Sequence, residues 1–328
     1  MKLIIPLAGF GSRLRPHTYS RPKALLNTAG QPVLGHVLNM FKDLDIEEFI
    51  FIIGYMGDQI QSYITSTYPN IKAQFVEQKH LNGQSPAILL AKNFINGPVL
   101  IGFADTLVKT DLTQLQDANQ DAITWVKEVK DPRRFGVAIT DKTGNVTQII
   151  EKPSTMEHKL AIVGFYFLRD GQSLMDAIET QVNNNIETKG EYYLADAIQI
   201  LLKNGLKMTT YEVDVWLDCG KPDSLLLTNK YLLNNGHDTS HMFRSNEYTI
   251  VPPVNIHPSA TITNSVVGPY ATIGANCKIN SSIIKNTIIE ENSTIENSLI
   301  SQSLIGQHTI VKNQAKSLII GDQSIVTS

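Results

Sequence analysis

The sequence predicts an α/β protein in which a Rossmann-like, doubly wound mixed sheet is followed by a parallel β-helix. Up to about Leu233, short apolar runs alternate with amphipathic segments of helical spacing, which is typical of a largely parallel sheet covered by helices on both faces. From Ile256 onward, branched aliphatic residues recur at every fifth or sixth position instead. That period fits neither a helix nor a hairpin, and it indicates a coil of short parallel strands.

The predicted sheet begins with the apolar run at residues 3–7. This run is too short for a membrane span and passes into glycines and arginines, so we expect a buried first strand and no signal peptide. Ligands bind beyond the carboxyl ends of the strands in such sheets, which points to the loop after Leu7 and to Asp105. Further strands are expected at residues 49–53, 99–103, 122–126, 135–140, 146–150 and 161–168, and helices at 32–44, 58–65, 86–94, 192–203 and 222–233.

The repeat in the last quarter of the chain predicts three domain segments: residues 1–235, a polar linker at 236–252, and the coil at 253–328. The coil resembles the left-handed β-helix of hexapeptide-repeat proteins; the alternative is a sandwich of short strands, which would need turn signals every 8–12 residues. Because a short coil leaves strand edges open, we expect a homo-oligomer. The residues expected to point inward are Ile256, Ile262, Val267, Ile273, Ile279, Ile284, Ile289, Ile295, Ile300, Ile305 and Val311.

Composition narrows the range of partners. The 328 residues carry a formal net charge of -3, and 42% of them are hydrophobic. The absence of a basic excess argues against nucleic acid as a partner, and the absence of a Lys/Arg block argues against a membrane surface. No run approaches the roughly 20 apolar residues of a membrane span. We therefore expect a soluble cytoplasmic protein with neither nucleic acid nor a membrane as a partner.

The loop at residues 7–23 has the composition of a phosphate-binding loop. It reads LAGFGSRLRPHTYSRPK, and its glycines let backbone N–H groups approach phosphate oxygens closely. Arg13 adds a planar, permanently charged fork, and Lys23 adds a second cation. The alternative is a glycine-rich turn with solvated charges. The loop matches neither the G-K-[ST] pattern of a P-loop nor the G-x-G-x-x-G dinucleotide fingerprint.

The whole stretch resembles the signature of sugar-phosphate nucleotidylyltransferases, G-x-G-[ST]-R-[LM]-x-P followed by P-K-x-[LM]-L. It stands here at residues 9–16 and 22–26, and further motifs follow in the family's order through about residue 235. The resemblance implies the nucleotide-diphospho-sugar transferase fold. Five positions depart from the pattern: Ala8, Pro86, Ala104, Ala195 and Lys221. The further motif positions are Gln78, Gly83, Asp105, Gly136, Glu151, Lys152, Pro153, Gly164, the run 190–196 and the run 216–220.

The resemblance implies a reaction in which a sugar 1-phosphate attacks the α-phosphate of a nucleoside triphosphate and releases pyrophosphate. It assigns catalytic roles to Arg13, Lys23, Asp105, Lys152 and Asp218, with Asp105 and Asp218 as ligands of Mg²⁺. Nucleotide binding is assigned to Leu7, Ala8, Gly9, Phe10, Gly11, Ser12, Arg13, Gln78 and Gly83. Sugar binding is assigned to Gly136, Glu151, Lys152, Gly164 and Glu191.

Each of these residues also has a simpler interpretation: Asp105 as a turn cap, Asp218 as a solvated acid, and Glu151 with Lys152 as an exposed ion pair. Glu191 and Asp196 could equally be structural residues. Two other functions also stay open, an additional acyl transfer by the β-helix and a non-catalytic sensor or scaffold. The start P-L-A-G-x-G and Gln78 favour glucose 1-phosphate with dTTP or UTP, although the sequence fixes neither the base nor the sugar.

Overall fold

The computed structural model describes residues 1–115 and 120–327. The chain divides into two compact units, which are described separately. The sheet unit comprises Met1–Gly9 and Val37–Trp216, and the coil unit comprises Phe10–His36 and Leu217–Ser328. Most of the phosphate-loop signature thus groups with the β-helix residues rather than with the sheet. The predicted limits at 1–235, 236–252 and 253–328 stay a prediction.

The sheet unit is built on a mixed sheet, as predicted. The sheet has nine strands, of which Ala73–Glu77 and Met208–Glu212 were not predicted. Its first strand, Lys2–Pro6, pairs in parallel with two neighbours, and strand Leu160–Leu168 runs antiparallel to its partners. In their order across the sheet, seven strands are Val146–Glu151, Gly136–Thr140, Leu160–Leu168, Val99–Gly102, Lys2–Pro6, Glu48–Ile53 and Ala73–Glu77. Strand Ala122–Glu128 also pairs with Leu160–Leu168, and Met208–Glu212 pairs with Ala122–Glu128.

Both faces of this sheet are covered. Leu3, Ile4 and Ile5 alternate between the faces and are all fully buried, as expected for a doubly wound sheet. Ile4 belongs to a core cluster that draws on three of the helices. The helices of the sheet unit are Gly57–Thr67, Gln84–Leu89, Gly171–Asn183 and Leu194–Lys203, and short 3-10 turns lie at Lys92–Phe94 and Thr113–Leu115. Thr106–Lys109 is a further strand of this unit. Helix Val33–Met40 and strand Val215–Asp218 each have residues in both units.

Three helices differ from the predicted pattern. The segment predicted as one helix over residues 86–94 is helical at Gln84–Leu89, and a separate 3-10 turn follows at Lys92–Phe94. The segment predicted as a helix over residues 32–44 is helical only at Val33–Met40, although Phe41 and Leu44 are still buried in the turn that follows. Helix Gly171–Asn183 was not predicted from the sequence. Asp170 caps this helix by accepting hydrogen bonds from the N–H groups of Gln172 and Ser173 at 3.0 and 3.3 Å. An Asp before an amphipathic run was therefore the available signal.

The coil unit contains the predicted parallel β-helix. Its strands pair in register from turn to turn, for example Thr261 with Lys278, Lys278 with Thr294, and Thr294 with Ile310. Each turn takes 15 to 17 residues along this face, and the three faces give five turns between Tyr248 and Val326. The left-handed sense stays a prediction. The strands are Tyr248–Ile250, Val254–Ile256, Thr261–Thr263, Ser265–Val267, Ala271–Ile273, Lys278–Asn280, Ile283–Ile289, Thr294–Glu296, Leu299–Ile305, Ile310–Lys312, Ala315–Lys316, Ile319–Ile320 and Ile325–Val326.

The interior of the coil confirms the predicted repeat. All eleven residues expected to point inward, from Ile256 to Val311, are buried members of one core cluster. At the corners the backbone takes positive φ, most often at asparagine, as at Asn264, Asn276 and Asn292. Asparagine tolerates the left-handed conformation better than most residues, which explains why this segment is rich in it.

The remaining elements of the coil unit are short. Helix Pro222–Asn234 precedes the β-helix, and strands Asn27–Thr28 and Gln31–Pro32 form a small hairpin. The other elements are 3-10 turns at Ser12–Leu14, His17–Tyr19, Lys23–Leu25 and Ser240–Met242. Within residues 1–115 and 120–327, no helix has the length and apolar character needed to cross a membrane.

Candidate functional site

The first part of the signature lies at the carboxyl end of the first strand, in the sheet unit. Leu7 and Ala8 are buried, and the Leu7 N–H donates to the carbonyl oxygen of Ile52 at 2.7 Å. Gly54 lies against Ala8, since an added Cβ there would be 2.8 Å from the Ala8 Cβ. Ala8, which departs from the signature, therefore packs against the end of the neighbouring strand, and the exposed Gly9 follows it.

The second part of the signature folds on itself in the coil unit. Gly11 has a φ of 63°, a conformation that favours glycine, and the hydroxyl of Thr18 donates to its carbonyl oxygen at 3.0 Å. A Cβ at Gly11 would also lie 2.9 Å from the Cβ of Lys23. Gly11 thus packs directly beneath Lys23, while Phe10, Ser12 and Arg13 remain exposed.

Arg13 and Asp218 meet at Gly220. The Gly220 N–H donates to Asp218 Oδ1 at 2.7 Å. An added Cβ at Gly220 would lie 2.8 Å from that oxygen and 3.1 Å from Arg13 Nη2, so these two side-chain atoms are within about 6 Å of each other. Both side chains are exposed. A permanent cation next to a carboxylate gives this part of the coil unit the groups to bind a phosphate and a metal ion side by side.

Gln78 and Gly83 lie together in the sheet unit. Gln78 is buried directly after a strand, and its side-chain amide donates to the Gly83 carbonyl oxygen at 3.4 Å. Gly83 has a φ of 133°, and a Cβ there would be 2.5 Å from the carbonyl oxygen of Tyr192. This close approach of two backbones excludes any larger residue at position 83. The departure at Pro86 falls inside helix Gln84–Leu89, within its first turn, where proline is tolerated.

Asp105 lies in a tight turn after strand Val99–Gly102. The Thr106 N–H closes this turn on the Phe103 carbonyl oxygen at 3.2 Å, and Asp105 is half-buried. Gly164, with a φ of 94°, leaves room for the Phe103 ring, which an added Cβ would approach to 3.0 Å. Gly164 therefore supports the turn that presents Asp105.

Glu151 lies over Gly136, its partner in register on the neighbouring strand. A Cβ at Gly136 would be 2.9 Å from Glu151 Oε2, so glycine at this position makes room for the carboxyl group. Burial raises the pKa of Glu151 to about 7, Lys152 lowers it, and the nearby Asp196 raises it further. Glu191, in an exposed turn, raises it slightly as well. Glu151 is thus a desolvated carboxyl group rather than half of an exposed ion pair.

Lys152 is held by an unusual backbone and by an aromatic ring. Its φ is 46°, which is rare for a residue with a side chain, and its N–H donates to the Phe135 carbonyl oxygen at 3.0 Å. The ammonium group hydrogen-bonds the Tyr193 hydroxyl and lies 4.2 Å from the centre of the Tyr193 ring. The sequence analysis includes Tyr193 in the motif at residues 190–196 but predicts no role for it. The only indication of its contact with Lys152 in the sequence was its position two residues after Glu191.

A second carboxyl group accompanies Glu151. Burial raises the pKa of Asp196, whose Oδ1 accepts a hydrogen bond from the Thr188 hydroxyl at 3.2 Å. Its other oxygen, Oδ2, is buried without a hydrogen-bond partner. Asp196 therefore has capacity for a further donor on the side of the sheet unit that carries Glu151 and Lys152.

The donor chemistry of Asp105 and Asp218 fits Mg²⁺. Proteins commonly bind this ion through one or two carboxylates, with substrate phosphates and water completing its shell. In the described part of the chain, His, Cys, Asp and Glu side chains do not gather in groups of three or more that could hold a metal ion. Neither Asp105 nor Asp218 is fully buried, so each can reach a ligand.

Comparison with known proteins identifies the family. A model of the nucleotidyl transferase family matches residues 2–235. The chain belongs to this family. The family prediction made from the signature at residues 9–26 is thereby confirmed, as is the nucleotidyltransferase class.

Individual relatives share different parts of this nucleotidyl transferase. The bifunctional protein GlmU of Methanocaldococcus jannaschii is 34% identical over 238 residues, which are 71% of this chain and 55% of GlmU. The chain therefore spans about half the length of that relative. The low-salt glycan biosynthesis nucleotidyltransferase Agl11 of Haloferax volcanii is 29% identical over 316 residues, 88% of this chain and 87% of Agl11.

A solved structure supports the fold. A Bacillus anthracis protein, provisionally named a glucose-1-phosphate thymidylyltransferase and crystallised with sucrose, superposes with a TM-score of 0.61 at 26% identity. The match covers 70% of this chain and 94% of that one. Together with the family match, it confirms the predicted α/β nucleotidyltransferase fold.

Proposed function

We propose that this protein transfers a nucleotidyl group from a nucleoside triphosphate to a sugar 1-phosphate and releases pyrophosphate. One observation carries the proposal: Arg13 and Asp218 both contact Gly220, in a chain whose residues 2–235 match the nucleotidyl transferase family. A sensor or scaffold that had lost catalysis would not need an exposed Arg and Asp beside each other.

The reaction calls for positioning and charge stabilisation rather than a general base. The attacking oxygen belongs to a phosphate that is already anionic, so the chain has to bring two anions together and stabilise the charge that develops. We assign Arg13 to the β- and γ-phosphates and Lys23 to the triphosphate or the sugar phosphate. Asp105 and Asp218 would hold Mg²⁺, which when bound would neutralise phosphate charge.

The groups of the sheet unit suit the other substrate. We assign Lys152 to the phosphate of the sugar, because Tyr193 and the backbone hydrogen bond to Phe135 hold it in place. Glu151 would accept hydrogen bonds from sugar hydroxyls, with Gly136 providing the space beside it. Leu7 to Ser12, Gln78 and Gly83 are assigned to the nucleotide, and Gly164 and Glu191 to the sugar side.

We propose glucose 1-phosphate with dTTP or UTP as the substrates. The support is the P-L-A-G-x-G start, Gln78, and the provisional name of the Bacillus anthracis relative. We also propose that the protein is a homo-oligomer and that it is cytoplasmic. Light scattering would test the oligomeric state.

The test is a matrix of pyrophosphate release with each common nucleoside triphosphate against several sugar 1-phosphates. We expect release only when both substrates are present with Mg²⁺, fastest for glucose 1-phosphate with dTTP or UTP. Release without a sugar 1-phosphate, or none with any pair, would overturn the proposal. A parallel thioester assay with amino-sugar phosphates tests acyl transfer, for which the exposed His257 and His308 were the only histidine candidates in the β-helix.

A further inference from the structure

Arg21 connects the phosphate-loop signature to the β-helix within the coil unit. Its guanidinium group donates to Glu290 Oε2 at 3.0 Å, to Glu291 Oε1 at 2.7 Å and to Gln307 Oε1 at 2.5 Å. The other oxygen of Glu290 accepts a hydrogen bond from the Asn27 N–H at 2.8 Å. One carboxylate of the β-helix therefore binds both ends of the segment 21–27, which contains Lys23.

The Arg21–Glu290 ion pair is desolvated. The side chains are only 17% and 8% exposed. Burial raises the pKa of Glu290 to about 7, and Arg21 lowers it. A buried ion pair adds little net stability, but removal of one partner leaves the other uncompensated. Such a pair is better suited to fixing geometry than to adding affinity between two surfaces.

A second contact holds the other side of the loop. A Cβ at Gly321, in the last turn of the β-helix, would lie 2.9 Å from the Pro16 side chain. The Ser20 hydroxyl hydrogen-bonds Asp322, whose Oδ1 also accepts the Gln307 N–H at 2.8 Å. Since Gln307 contacts Arg21 as well, these groups form one connected polar network.

A third contact is fully buried. Asn229, on helix Pro222–Asn234, accepts hydrogen bonds through Oδ1 from the Ala29 N–H at 2.8 Å and the Thr272 hydroxyl at 2.7 Å. Its amide donates to the Tyr270 carbonyl oxygen at 3.2 Å. One side chain thus joins the end of the loop segment, the helix and the β-helix.

The loop itself has little regular structure with which to set its shape. Between Phe10 and Leu26 its only elements are 3-10 turns of three residues each, which are short and weakly bonded. Its conformation therefore depends on what it packs against. Arg13 precedes the contact at Pro16, and Lys23 lies between Arg21 and Asn27.

We propose that Arg21 and Glu290 are positioning residues for nucleotidyl transfer: the β-helix sets the conformation of the loop that carries Arg13 and Lys23. This inference rests on the proposed function. It makes the β-helix part of the catalytic scaffold, in addition to any role in assembly.

The kinetic test uses Glu290→Gln and Arg21→Lys in the full chain. Gln keeps the shape and an acceptor for the Asn27 N–H but removes the charge, and Lys keeps the charge but lacks the fork. We expect kcat/KM for the triphosphate to fall about ten- to a hundredfold, as for other small displacements of catalytic groups. KM for the sugar 1-phosphate should change less, because its phosphate is assigned to Lys152 of the sheet unit. Glu296→Gln is the matched control, because Glu296 pairs with Lys312 at 2.8 Å on the same β-helix.

Hydrogen exchange tests the loop independently of activity. In Glu290→Gln we expect faster exchange at residues 10–27 and unchanged exchange in strand Leu299–Ile305. Equal loss of protection in both regions, or wild-type exchange and kinetics, would overturn the inference. If the wild-type protein releases no pyrophosphate, the proposed function fails, and the exchange comparison still decides whether the β-helix sets the loop.

Discussion

Arg13 and Asp218 both contact Gly220, although more than two hundred positions separate Arg13 from the other two in the sequence. The Gly220 N–H fixes one oxygen of the Asp218 carboxylate, and Arg13 lies on the same glycine. The glycine thus sets the spacing of a cation and an anion that are both exposed. A Cβ at this position would occupy the space beside both side chains, so that at least one of them would have to move.

This relationship predicts that Gly220→Ala impairs catalysis without impairing folding. The backbone of Gly220 is not in the positive-φ region, so alanine fits the chain, but its Cβ would press on Asp218 and Arg13. We expect kcat/KM to fall at least about tenfold, with an unfolding midpoint near wild type. Gly97→Ala is the control, because a Cβ there meets nothing within 4 Å. Equal kinetics in both variants would contradict the assignment of Arg13 and Asp218.

Asp105→Asn tests the proposed metal ligand in the sheet unit. The amide keeps the size of the side chain but lacks the charge, so we expect pyrophosphate release to fall at least about a hundredfold and stimulation by Mg²⁺ to weaken. The Mg²⁺ dependence of the initial rate is the measurement. Asp121→Asn, at an exposed position of the same unit, serves as the control. Activity near wild type in Asp105→Asn would remove Asp105 from the metal site.

The raised pKa of Glu151 predicts how sugar binding depends on pH. With a pKa of about 7, this carboxyl group is mostly protonated at pH 6 and mostly ionised at pH 8. The ionised form offers both oxygens as strong acceptors, whereas one oxygen of the protonated form carries a donor proton. KM for the sugar 1-phosphate should therefore fall as pH rises through 7. The sugar phosphate itself ionises further near pH 6. The variant Glu151→Gln separates the effect of this carboxyl group from the ionisation of the substrate. If KM depends on pH in the same way in this variant, Glu151 does not contribute to the pH dependence of sugar binding.

Much of the fold follows from local patterns. The eleven inward-pointing residues of the β-helix could be predicted because each buried position repeats within five or six residues. The first strand followed likewise from its apolar run. Helix Gly171–Asn183 was missed because its cap at Asp170 is a weak signal beside the β-rich pattern around it.

The long-range polar contacts could not be predicted. Arg21 looks like any solvated loop arginine in the sequence, and no period links it to Glu290, 269 positions away. For the same reason no sequence pattern indicates that Phe10–His36 groups with the β-helix residues. Hydrogen bonds of this kind depend on the packing of complete elements, which residue spacing does not encode.

His36 predicts a loss of stability in mild acid. Its Nε2 bonds the Thr28 carbonyl oxygen at 2.7 Å, so this nitrogen carries the proton, and Nδ1 is 2.9 Å from the side-chain amide of Gln31 and accepts from it. This arrangement uses the neutral ring. Burial lowers the pKa of His36 to about 4, partly offset by the Thr28 hydrogen bond, from the ordinary value of about 6.5. Between these two pH values the folded state binds fewer protons than the unfolded state, so the free energy of unfolding falls as the pH falls.

The expected size is about 2 kcal/mol between pH 7 and pH 5 for one such histidine. His36→Asn keeps a neutral donor and acceptor, so its unfolding midpoint should drop less between pH 7 and pH 5 than that of the wild type. Part of the drop should persist, because burial also lowers the pKa of His17 to about 4. The exposed His257, whose ring bonds the Ser259 hydroxyl, gives the control His257→Asn. If the two variants lose stability equally between pH 7 and pH 5, the neutral state of His36 is not what stabilises this part of the coil unit.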